Sequence, residues 1–96
     1  MADAHIYDEG SSCEVTPAEV HKKRRAVFTL QNDTKRSVRV TFDPADVIPP
    51  EADIPHGTHA GNPRRFRISP DAKVGTAIAI RPDCRPRRTD PKIIID

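Results

Sequence analysis

Apolar side chains recur at every second position in short runs along this chain. Phe28 and Leu30 alternate with polar neighbours, as do Val38, Val40 and Phe42, then Phe66 and Ile68, Ile78 and Ile80, and Ile93 and Ile95. A period of two is that of a strand with one buried face. Turn-forming residues separate the runs, so the pattern predicts a succession of short strands. It establishes a fold class, and it names no function.

The expected strands cover residues 13–15, 26–31, 37–42, 64–69, 76–81 and 92–95. Asn32-Asp33-Thr34-Lys35 has the residues of a tight turn, so 26–31 and 37–42 are expected to form a hairpin. Thr16-Pro17-Ala18-Glu19 reads as a turn, or as a capping box opening one helical turn. The following Lys22-Lys23-Arg24-Arg25 lacks the apolar stripe that a helix would need. Residues 1–10 are polar and acidic apart from Ile6 and Tyr7, and predict an N-terminal arm or edge strand. Residues 43–62 carry Pro44, Pro49, Pro50, Pro55, Gly57 and Gly61 and read as a long irregular crossover. Ala77 and Ala79 place small side chains on the second face of their strand, which suggests close packing there.

Six or seven strands with a long central crossover predict an all-β, Greek-key sandwich of about seven strands, spanning residues 1–96 as one domain. An immunoglobulin-like sandwich and a small barrel are the alternatives.

Composition sharpens this picture. The 96 residues include ten Pro and four Gly, which suit many corners and not a helical bundle. With no Trp, one Tyr and three Phe, the core must come mostly from Val, Ile, Leu and Ala. The net charge of +2 sums many charges of both signs, so it does not by itself point to nucleic acid. No apolar run approaches membrane length, and the start lacks a signal-peptide pattern. The expected location is the cytoplasm, with no membrane partner.

The order of elements resembles small bacterial cupredoxin-like domains over residues 13–96. The resemblance rests on Cys13-Glu14-Val15-Thr16-Pro17, on Phe28-Thr29-Leu30-Gln31-Asn32 followed by Ser37-Val38-Arg39-Val40-Thr41-Phe42, on Arg65-Phe66-Arg67-Ile68, and on Val74-Gly75-Thr76 opening the next-to-last strand. It implies a cupredoxin-like sandwich in which Cys84 occupies the loop that would carry the copper thiolate. Such a site needs two His, a Cys and usually an axial Met. Residues 85–91 contain neither His nor Met, so the resemblance implies the fold without copper electron transfer.

Three constellations remain. His56 and His59 are spaced to share a metal, with Cys84 or Asp53 to complete a site, but no full ligand set is apparent and no cofactor is expected. Cys13 and Cys84 are the only cysteines. The resemblance places them toward opposite ends of the domain, and a cytosolic location would keep them reduced, so no disulfide is expected. The basic runs are Lys22-Lys23-Arg24-Arg25, Arg64-Arg65 and Arg85-Pro86-Arg87-Arg88. In a cupredoxin-like topology the first and third converge at one end of the sandwich. Lys22, Lys23, Arg24, Arg25, Arg85, Arg87 and Arg88 are therefore the expected partner-binding residues. Asp43, Asp46, Glu51 and Asp53 in the long loop offer an internal neutralisation of that patch.

No phosphate loop, nucleophile elbow or distinctive acid pair is present, so the expectation is a non-enzymatic domain. It would bind a protein partner or its own copy. An anion or nucleic-acid binder and a copper or zinc protein are the alternatives. Aromatic residues suited to base stacking are not interleaved with the basic runs.

Overall fold

The alternating runs become two five-stranded sheets in a computed structural model, which describes residues 2–56, 62–86 and 89–96. Ten strands form among these residues. They are β1 (Ala4–Glu9), β2 (Ser12–Thr16), β3 (Glu19–Lys22), β4 (Val27–Asn32), β5 (Val38–Asp43), β6 (Val47–Ile48), β7 (Glu51–Ile54), β8 (Arg64–Ile68), β9 (Ala77–Pro82) and β10 (Lys92–Ile95). Sheet A has the order β2-β1-β4-β8-β6, and sheet B has the order β3-β10-β9-β5-β7. Each sheet holds one parallel pair, β1 with β4 and β3 with β10, and is otherwise antiparallel. The expected all-β sandwich is present.

The inner faces carry the residues that the period of two selects. Phe28, Leu30, Phe66 and Ile68 of sheet A face Val38, Val40, Phe42, Ile78, Ile80, Ile93 and Ile95 of sheet B, and all are buried. The three phenylalanines meet across the layers. Phe42 lies 4.9 Å from Phe66 and 6.2 Å from Phe28, both edge-on, an arrangement that the ring quadrupole favours.

Three expectations are corrected. The first concerns residues 26–42, which are not a hairpin. β4 pairs with β1 and β8 in sheet A, while β5 pairs with β7 and β9 in sheet B. The two strands are joined by an arch from one layer to the other, so their apolar faces meet across the core instead of lying side by side. Buried Asn32 holds the arch, as its Nδ2 donates to the carbonyls of Arg36 and Ile54, both at 2.9 Å.

The second concerns the N-terminal segment. β1 is an interior strand between β2 and β4, with Ala4 and Ile6 fully buried. Its outward Tyr7, Asp8 and Glu9 disguise it as a polar arm. Residues 16–19 form the expected turn and not the alternative helical one. They carry the chain from the edge of sheet A to the edge of sheet B, where β3 buries Val20. The third concerns the long crossover, which contains two further strands. β6 extends sheet A beside β8, and β7 extends sheet B beside β5. Two residues of β6 are too few to show a period, and the prolines around β7 mask its Ala52 and Ile54.

Candidate functional site

Cys13 and Cys84 form a disulfide with their α-carbons 5.4 Å apart, contrary to the expectation that both are free. β2 and the segment after β9 run together here, and the Cys13 N–H donates to the Cys84 carbonyl at 3.1 Å. The neighbouring side chains continue the junction. The Arg85 guanidinium, only 7% exposed, pairs with Glu14 and Asp90 and donates to the Thr89 carbonyl. Arg85 is thus a structural clasp between β2 and the β9–β10 loop. Arg87, Arg88 and His59 lie outside the described residues. His56 is exposed, and with the Cys84 sulfur bonded to Cys13 the thiolate imagined for a metal site beside it does not exist.

The first and third basic runs do not converge. β3 and β10 are parallel, with Glu19 opposite Lys92 and Lys22 opposite Ile95. Lys22-Lys23-Arg24-Arg25 leaves the end of this pair at which β10 finishes. The run around Arg85 enters at the end at which β10 begins. One full strand length therefore separates them, because the β3–β10 register is parallel and the expected topology did not contain β3.

What the structure brings to the first run is instead β8. The Arg25 N–H donates to the Ile68 carbonyl at 3.0 Å, and the Ile68 N–H donates to Ala26 at 2.9 Å, which extends the β4–β8 ladder. Arg67 reaches the same turn, its Nη1 donating to the Arg25 carbonyl at 3.4 Å. On the outer face of sheet A, Arg67 lies opposite Val27 of β4 on one side and Ile48 of β6 on the other. Arg65 follows two residues back along the same face, opposite Thr29, roughly 6.6 Å away at ordinary strand rise. Val27 is 37% exposed and Ile48 54%.

Lys23, Arg24, Arg25, Arg65 and Arg67 are exposed, and among the described residues none of them forms an ion pair. Lys22, also expected at this surface, is turned to Asp3 at 3.0 Å. Three of the four acids of the long loop are engaged elsewhere, while the Asp46 carbonyl accepts from the Ser69 N–H at 2.8 Å just beyond β8. Glu51 and Asp53 each hold Arg39 at 3.0 Å, and Asp43 holds Arg81 at 2.8 Å. Asp53 and Glu51 raise the Arg39 pKa above its ordinary value. An open groove of about 460 Å³ beside Arg39, Arg81, Arg85 and Asp90 is lined by these mutually paired charges.

The uncommitted positive charge is thus concentrated on one flank, where apolar side chains adjoin it. Arg65 and Arg67 were legible as outward residues of a strand, since they alternate with Phe66 and Ile68. Their place beside Arg25 depended on the β4–β8 register, which local sequence does not encode. Ala77 is exposed and Ala79 half-buried on the outer face of sheet B, so the close packing expected over them is not made by the described residues.

No group of three or more His, Cys, Asp or Glu able to hold a metal occurs among the described residues. Among the described residues no helix is long and apolar enough to cross a membrane. No protein-family model matches the chain, and no curated protein matches it.

Proposed function

We propose that this chain is a non-enzymatic interaction domain that docks an acidic protein surface against the β8 flank of sheet A. One observation carries the reading. Arg67 stands between exposed Val27 and Ile48, with Arg65 and the Lys23–Arg25 turn beside it and no carboxylate paired to any of these cations among the described residues. Arg is enriched among the residues that carry protein–protein binding energy, and exposed Val27 and Ile48 add apolar area beside it. Arg also fits carboxylates through two parallel hydrogen bonds. Nucleic acid is the second reading, and it lacks a stacking platform here, because Val27 and Ile48 are aliphatic.

The Cys13–Cys84 bond supports an oxidising compartment as the place of action, instead of the cytoplasm.

The test is fluorescence anisotropy with a labelled peptide of alternating Glu and Leu, set against single-stranded DNA of equal charge. The peptide is expected to bind with an affinity that falls with salt. Replacing both Arg65 and Arg67 by Ala should weaken it tenfold or more, about 1.4 kcal/mol or above. Tighter binding of the DNA would transfer the surface to nucleic acid. Peptide binding untouched by the double substitution would remove the surface from the function altogether.

A further inference from the structure

The turn that presents the basic residues has an unexpected backbone. The Ala26 N–H donates to the Lys23 carbonyl at 3.2 Å, closing a four-residue turn with Arg24 and Arg25 at its centre. Arg25 has φ of 67°, and it is the only non-glycine residue in the left-handed region among the described residues. A turn whose third residue has positive φ ordinarily uses Gly or Asn there, since a side chain of any other kind meets its own backbone. Arg25 makes no ion pair among the described residues, and its own carbonyl accepts from Arg67.

We propose that Arg25 is the specificity-determining anchor of the docking surface, kept at a glycine position because its guanidinium takes a carboxylate of the partner. The proposal rests on the reading of the β8 flank as an interaction surface. The bond from Arg67 to the Arg25 carbonyl fixes the two residues relative to each other. In this proposal a partner Asp or Glu side chain binds the Arg25 guanidinium in a groove that Lys23, Arg24, Pro70 and Asp96 also line, and Val27 and Ile48 on either side of Arg67 receive the aliphatic part of the partner. Strain retained at a surface residue in this way belongs with binding rather than with folding.

The experiment pairs thermal unfolding with the same Glu-Leu peptide. Arg25→Gly relieves the positive φ, so the melting temperature should hold or rise by a few degrees, while peptide affinity falls tenfold or more. Arg25→Lys keeps the charge but loses the fork, and should fall between wild type and Arg25→Gly. A lowered melting temperature for Arg25→Gly would show that Arg25 serves the fold and would overturn the proposal. An unchanged affinity for Arg25→Gly, with binding still lost on substituting Arg65 and Arg67, would overturn the anchor and leave the docking surface standing. Wild-type protein that ignores the peptide would overturn both.

Discussion

Asn32 is 1% exposed, and every polar atom of its side chain is engaged. Nδ2 donates to two carbonyls, and Oδ1 accepts from the Thr34 N–H at 2.9 Å and from the Thr34 hydroxyl at 2.6 Å. A satisfied buried network of this kind rigidifies the backbone it joins, whereas a half-satisfied one is costly. Asn32→Ala strands the Ile54 carbonyl and the Thr34 amide, and should lower stability by about 3 kcal/mol in urea unfolding. A loss below about 1 kcal/mol would mean that water replaces the side chain.

Asp3 contributes acid sensitivity to the fold. Burial works to raise its pKa, but the Thr29 N–H at 2.8 Å and the Lys22 ammonium at 3.0 Å outweigh it, and the carboxyl lies below its ordinary 3.8. A depressed folded pKa gives stability that is present above 3.8 and is lost as pH falls through the folded value. Asp3→Asn should therefore lower the melting temperature at neutral pH, and the gap to wild type should close in strong acid. A gap of constant size across the titration would assign the loss to hydrogen bonding alone.

At the scale of elements, the disulfide and the arches organise the layers. The chain passes from sheet A to sheet B at β4–β5 and again at β8–β9, while β4 pairs with β8 and β5 with β9. The four central strands are therefore linked in pairs across the two layers, so the sheets fold as one unit. Strand positions with a clear period of two were legible, as β10 shows residue for residue, because burial on one face imposes the pattern directly. Partnership was less legible. Asn32-Asp33-Thr34 has good hairpin chemistry, yet its side chains serve an arch, and only the non-local β4–β8 and β5–β9 pairings decide between the two. The Cys13–Cys84 pairing was hidden for the same reason, since β1 and β2 had to be placed before Cys13 could be. Removing the bond by Cys13→Ala with Cys84→Ala frees a loop of 71 residues. On chain-entropy grounds this should lower stability by about 4 kcal/mol, read as an earlier urea midpoint. An unshifted midpoint would show that the Arg85–Glu14 clasp alone suffices to hold β2.

At the scale of the molecule, protein recovered from its own host and unfolded in the presence of a thiol-alkylating reagent should take up no label. Labelling at both cysteines would return the domain to a reducing compartment. Charge is also distributed unequally. Sheet B neutralises its outer face through Arg39 and Arg81, whereas the β8 flank of sheet A leaves its cations open. The disulfide has a further consequence for association by strand addition, which needs a free row of backbone groups at a sheet margin. On one side of the sandwich, β2 and β3 are consecutive and share a bend, and β2 is tied down at Cys13 by both a covalent bond and the Cys84 carbonyl. On the other side the margins are β6, only two residues long, and β7, which follows directly on Pro49-Pro50 and turns Glu51 and Asp53 outward. The molecule thus has one seam tied down at β2 and the other interrupted by proline and acid. Growth into β-linked chains of copies is hindered at β2, β6 and β7, which favours the proposed docking at the basic flank over strand addition.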